Sequence, residues 1–137
     1  MTVGTKNLAA LRFRLDSGLC SIPLQRVYHL TGFATLTGTP DDYFLGWLTF
    51  HGQQVPVFDL NRVVCDQPTP ERFGTRIILL PVGPQAPAEL IGNYIGLLAG
   101  DLTDTIAMND PEANPLDLDR FLPMLYTLIP TPPVGSV

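Results

Sequence analysis

Charge is scarce in this chain. Only 15% of its 137 residues are Asp, Glu, Lys or Arg, and the 8 basic against 13 acidic residues leave a net charge of −5. A sequence pI near 4.7 excludes the basic face that nucleic acids and anionic membranes select. Cysteine is almost absent as well. Cys20 and Cys65 are too few for a disulfide scaffold and lack CxxC spacing, so free buried thiols are expected. Long uninterrupted apolar runs are missing too. The charge-free stretches Tyr43–Phe58 and Phe121–Val137 contain prolines and fall short of the roughly 20 residues that span a bilayer. Met1–Ala10 has no apolar segment of the kind that opens a secretory signal. A soluble cytoplasmic protein is expected.

Apolar residues (45%), 14 prolines and 12 glycines are what the chain does have. A 137-residue chain this apolar can bury a core without metal or disulfide. Prolines and glycines spread along its length suit many short strands better than long helices. Leu11, Phe13 and Leu15 alternate with Arg12, Arg14 and Asp16, the pattern of a half-buried strand. Asp16-Ser17-Gly18 turns it into a second strand over 19–24. Leu24, Val27, Tyr28 and Leu30 fit either a helical turn or a strand.

Phe44–Phe50 reads as a strong apolar strand, His51-Gly52 as a tight turn, and Val55–Leu60 as the returning strand. Pro56 within it cannot donate to a ladder, which assigns it to an edge or a bulge. A short helical turn is expected at Asn61–Cys65, and the stretch 67–74 is the candidate boundary between lobes. Arg76–Val82 and Ile91–Ala99 read as strands flanking an exposed proline-rich loop at 83–89. A further strand is expected over 102–107, with a loop at 109–114. Leu116, Leu118, Phe121, Leu122 and Leu125 have helical spacing, but Pro123 limits that helix to its first turn. The end, 131–137, reads as frayed. About eight short strands in two groups make the chain all-β.

Little chemistry is offered by the titratable residues. Cys20, Cys65, His29, His51, Asp59, Asp101 and Asp104 are the candidates for an active site, but both cysteines sit in apolar runs where inert thiols are the rule. The two histidines show no HxH, HxxxH or HxxE spacing, so no metal site is expected. The glycines at 92, 96 and 100 lie in a strand pattern with no helix following, which gives no phosphate loop. No catalytic residue, metal or cofactor is therefore assigned. A small acidic β-protein of this kind works by binding.

Three segments carry a resemblance. Phe13-x-Leu15 followed by Cys20-Ser21-Ile22-Pro23-Leu24-x-x-Val27 is similar to the opening hairpin of CheW-like domains. Gly46-Trp47-Leu48-x-Phe50-x-Gly52-x-x-Val55-Pro56-Val57-Phe58-Asp59-Leu60 resembles that family's central signature. Thr75-Arg76-Ile77-Ile78, Ile95-Gly96-Leu97-Leu98 and Leu102-Thr103-Asp104 look like its second half. The resemblance implies two small SH3-like β-barrel lobes packed together in one domain over 1–137, lobe one about 8–66 and lobe two about 74–130. It also implies a non-catalytic adaptor in bacterial chemosensory signalling, with a surface-sensing or pilus-type pathway included. Its partners would be a chemoreceptor's cytoplasmic helical hairpin and the regulatory domain of a CheA-type histidine kinase.

By matched position, Val27, His29, Gly46, Phe50, His51 and Gly52 would form the receptor side. Ile77, Leu79, Ile95 and Leu97 are the matched strand positions on the kinase side. Where the family's signature usually has Asn and Arg, this chain has Thr49 and His51, and His29 stands where an acid is common. The residues themselves also fit a stand-alone β-barrel that binds a peptide or small ligand outside chemosensing. A cysteine–histidine enzyme is the remaining alternative.

Overall fold

A computed structural model describes residues 9–32, 35–41, 43–69, 76–83, 86, 93–100, 105–107 and 113–130. Nine strands run β1 (Ala9–Leu15), β2 (Gly18–Pro23), β3 (His29–Gly32), β4 (Phe44–Phe50), β5 (Gln53–Asp59), β6 (Arg76–Pro81), β7 (Tyr94–Ala99), β8 (Thr105–Ala107) and β9 (Asn114–Pro115). Two helices, α1 (Leu60–Cys65) and α2 (Leu118–Leu128), and a 3-10 turn at Leu24–Arg26 complete the described elements. The strands make a four-stranded sheet, β8-β1-β2-β9, and a five-stranded sheet, β3-β6-β7-β5-β4. These correspond to the two SH3-like lobes. Strands from the two sides of the 67–74 stretch are interleaved, since β3, β4 and β5 share a sheet with β6 and β7 while β1 and β2 share one with β8 and β9.

Both hairpins form where local alternation and turn chemistry place them. β1 pairs antiparallel with β2, from Ala10 opposite Pro23 to Leu15 opposite Gly18. β4 pairs with β5 through the His51-Gly52 turn, where φ is 49° at His51 and 80° at Gly52. Two successive positive φ values give the twist a two-residue hairpin requires. Leu24 to Leu30 resolves as both readings in succession, a 3-10 turn and then β3. Pro56 lies opposite Trp47 on β5, just before the parallel pairing with β7 begins at Val57. Its missing N–H therefore costs no ladder bond on that side.

Strict alternation sends side chains of the five-stranded sheet into two different cores. Val55 and Val57, Ile77 and Leu79, Leu48 and Leu98 pack together on one face. Phe58, Ile78, Leu80, Ile95 and Leu97 point to the other, where they meet Leu11, Phe13, Leu15, Cys20 and Ile22 of the four-stranded sheet. Strands buried on both faces read as continuous apolar runs, which is why 76–82 and 94–99 show no alternation. At Gly96, a Cβ would lie 3.0 Å from Ile77 Cγ2 and 3.1 Å from Val57 Cγ2, so the smaller core closes over it.

The end of the chain departs from expectation. Helix α2 continues past Pro123 for five more residues. A proline inside a helix removes one hydrogen bond and crowds the preceding turn. Burial of Leu118, Leu122, Leu125 and Tyr126 against the larger core offsets that cost, because tertiary packing of an apolar face supplies most helix stability. Ala86, in the loop expected to be exposed, is buried. Positions 84–85, 87–92, 101–104, 108–112 and 131–137, on which the remaining loop, strand and frayed-end expectations fall, lie outside the described residues.

Candidate functional site

The sequence Val-Pro-Val-Phe-Asp-Leu-Asn at 55–61 ends in a buried polar latch. Asp59 caps helix α1 by accepting from the Arg62 amide at 3.3 Å, and its other oxygen accepts from the Thr69 amide at 2.8 Å. Asn61 is 2% exposed. Its Nδ2 donates to the carbonyls of Gln67 at 2.9 Å and Pro68 at 3.3 Å and to Asp16 Oδ2 at 3.2 Å. Its Oδ1 accepts from the Asp16 amide at 2.9 Å. One side chain thus joins the β1–β2 turn, α1 and the segment that leaves it. Asp59 is therefore a structural residue, satisfied on both oxygens, rather than an acid awaiting a substrate.

Four of the six receptor-side candidates come together. His29 at the start of β3 and Phe50 at the end of β4 lie on the two edge strands of the five-stranded sheet, yet their ring centroids are 5.2 Å apart. The sheet therefore curls until side chains bridge its edges. His51 stacks on Phe50 at 4.1 Å with an interplanar angle of 13°. Tyr28 stacks on Tyr94 at 4.3 Å, and both present edges to Phe50, at 6.1 Å and 6.2 Å. A hydrogen bond with Tyr28, assisted by desolvation, holds the Tyr94 phenol above its ordinary pKa. Tyr28, His29, His51 and Gly52 are exposed, and Phe50 and Tyr94 are half-buried.

The other two candidates sit elsewhere. Val27 is partly buried against the larger core. Gly46 is buried at φ 140°, beside the register shift in β4, and a Cβ there would lie 2.8 Å from both Leu36 Cβ and Thr37 O. It lets the 36–37 segment approach β4 closely enough for Thr37 and Trp47 to exchange backbone hydrogen bonds of 3.0 and 2.7 Å. Its role is conformational, and it offers no surface. The four kinase-side positions, Ile77, Leu79, Ile95 and Leu97, are each 0% exposed. These side chains pack the two cores and are closed to a partner in this conformation.

Tyr28 and Tyr94 were not among the expected site residues. The exposed aromatic beside His29 was visible in sequence, but its stacking on a residue 66 positions away depends on how the sheet curls. A groove of about 580 Å³ also runs between the helices, lined by Val63, Val64, Leu116, Phe121 and Met124 among others. No sequence pattern marked it.

The catalytic alternatives find no support in the geometry. Both cysteines are free. Burial pushes the Cys20 thiol up, against a smaller opposing effect of the Ser17 hydrogen bond and with a further upward push from Cys65. Cys65 is half-buried rather than buried. Among the described residues no three His, Cys, Asp or Glu side chains are placed to hold a metal ion. Asp101 and Asp104 lie outside the described residues. Among those described, no helix is long and apolar enough to cross a membrane.

Comparison with known proteins agrees with this arrangement. A search of curated proteins finds no match. Among solved structures, the chain is similar to the crystal structure of the scaffolding protein TtCheW from Thermoanaerobacter tengcongensis, with a TM-score of 0.62 and 18% identity. That match covers 76% of this chain and 64% of the other, so this chain spans less than two thirds of that protein's length. The family model of the CheW-like domain matches residues 9–121, which takes in both sheets and the first part of α2. The chain belongs to the CheW-like domain family.

Proposed function

We propose that this protein is a cytoplasmic adaptor that couples a chemoreceptor to a CheA-type histidine kinase in a chemosensory pathway. The family match over residues 9–121 carries the reading. The receptor's helical hairpin docks on the exposed surface of His29, Phe50, His51 and Gly52, where Tyr28 and Tyr94 extend the contact area. Aromatic residues suit this use because they bury much area at low entropic cost. The kinase's regulatory domain docks elsewhere on the chain, since Ile77, Leu79, Ile95 and Leu97 are enclosed in the two cores.

The test is reconstitution. Receptor cytoplasmic fragments and a CheA-type kinase from the same genome are mixed with the purified chain and sedimented. The expected result is a complex that contains the kinase only when this chain is present. A folded chain that binds neither partner would overturn the assignment. Binding of the kinase alone would retain the adaptor reading and remove the receptor surface.

A further inference from the structure

Helix α2 meets the rest of the chain in two different ways. Leu118, Leu122 and Leu125 pack into the larger core, where apolar contact holds them. Asp119 and Tyr126 are seven positions apart, two turns along one face, and border a cleft of about 350 Å³. Gln25, Arg26, Pro81 and Val82 line its other side. Two polar contacts span this cleft. Arg26 Nη2 donates to Asp119 Oδ1 at 3.1 Å, and the Gly83 amide donates to the Tyr126 hydroxyl at 2.9 Å.

Both contacts end beside the stacked tyrosines. Arg26 closes the 3-10 turn Leu24–Arg26. Tyr28 lies two residues further on, and its amide donates to the Leu79 carbonyl of β6 at 2.8 Å. Gly83 follows β6, whose last residue, Pro81, stands opposite Tyr94. Between them the Val82 amide donates to the Asn93 carbonyl at 3.1 Å. The segments that carry the two rings thus flank β6 on its two sides, each a short step from a contact with α2. Stacking is a specific geometry, so rings with centroids 4.3 Å apart and planes at 25° register any relative shift of those segments.

We infer that α2 positions the Tyr28–Tyr94 pair, with Asp119 acting through Arg26 on the segment before β3 and Tyr126 acting through Gly83 on the end of β6. The Tyr126 contact is the stronger of the two. Its residue is 5% exposed, and an amide deprived of its acceptor in such a place is costly. The Arg26–Asp119 pair is solvent-exposed, with the Asp119 side chain 67% exposed, and contributes less. Only the use of the pair as receptor contact area rests on the proposed function; the positioning is a property of the free chain. Where that function holds, α2 shapes the receptor contact from outside it.

The test uses the full chain with no partner. The nuclear Overhauser contact between the Tyr28 and Tyr94 ring protons, together with their shifts, reads the stack. Tyr126→Phe removes one hydroxyl and keeps the ring, and Asp119→Asn removes the charge and keeps the size. Each is expected to weaken the inter-ring contact, Tyr126→Phe more, and the double variant is expected to lose it. Asp119→Glu keeps the carboxylate and is expected to retain the wild-type Tyr28 shifts. Leu122→Ala strips core packing from α2 without removing either polar contact. It is expected to lower the thermal midpoint more than either single variant and to leave the stack intact. An unchanged stack in the double variant, equal loss in Leu122→Ala, or equal loss in Asp119→Glu and Asp119→Asn would each overturn the proposal. No receptor enters the measurement, so failure here leaves the docking surface to its own test.

Discussion

The two sheets solve the problem of burial differently. The five-stranded sheet curls around a small core of its own, Leu48, Val55, Val57, Ile77, Leu79 and Leu98, and its edges are bridged by the Phe50 ring cluster. The four-stranded sheet is bounded by strands of only three and two residues, β8 and β9. Its apolar face contributes to a core shared with the back of the other sheet and with α2. One lobe is thus self-supporting, and the other is held from outside. The exposed aromatic face lies on the lobe with its own core.

That contrast is most directly broken in α2. Leu125 is 0% exposed in the shared core, and Leu125→Ala is expected to cost about 3 kcal/mol, the usual range for a buried leucine truncated to alanine. Chemical denaturation measures the loss. Native-state hydrogen exchange distinguishes the lobes, because local opening follows the units that share contacts. Amides of β1 and β2 are expected to lose protection before those of β6 and β7. Uniform loss across both sheets would mean that they unfold as one unit, and the distinction between a self-supporting and a dependent lobe would fail.

This dependence on α2 was the part least legible in the sequence. Pro123 reads as a helix stop because local rules count the lost hydrogen bond. They do not count the burial of Leu118, Leu122, Leu125 and Tyr126 in a core assembled from both sheets, whose other members lie far away in sequence. The hairpins β1–β2 and β4–β5 were legible because alternation and turn chemistry act over a few residues. The parallel pairing of β5 with β7 and the antiparallel pairing of β3 with β6 were not, since these partners lie far apart in the chain and no local pattern names them. The same limit governs the site. His29, Phe50, His51 and Gly52 were found by resemblance, and the structure gathers them, but matched position could not separate exposed residues from Gly46 or from four fully buried strand positions. Exposure is a property of the curl, which no single strand encodes.

Two glycines of the β4–β5 hairpin sharpen the comparison within the self-supporting lobe. Gly46→Val introduces a branched side chain where φ is 140° and where even a Cβ meets Leu36 and Thr37 O at 2.8 Å. Backbone strain and the displaced 36–37 segment together are expected to cost about 3 kcal/mol or more. The Thr37–Trp47 backbone bonds should be lost, seen as fast exchange of the Trp47 amide. A Gly46→Val protein as stable as wild type would place the 36–37 segment away from β4.

Gly52→Val tests the tip of the same hairpin. Nothing lies within 4 Å of the position a Cβ would take, so no clash contributes. What remains is φ at 80°, a left-handed value that a β-branched residue adopts at a cost of about 1 kcal/mol or slightly more. A fall in the thermal midpoint of roughly 4 °C is expected for a domain of this size. Gly52→Asn should recover most of it, because Asn accepts a left-handed backbone and Val does not. The two variants separate conformation from contact, since their side chains occupy the same open space. An unchanged midpoint in Gly52→Val would mean that the turn is not built on positive φ. A loss as large as that of Gly46→Val would mean that the tip belongs to the barrel's core rather than to its exposed face.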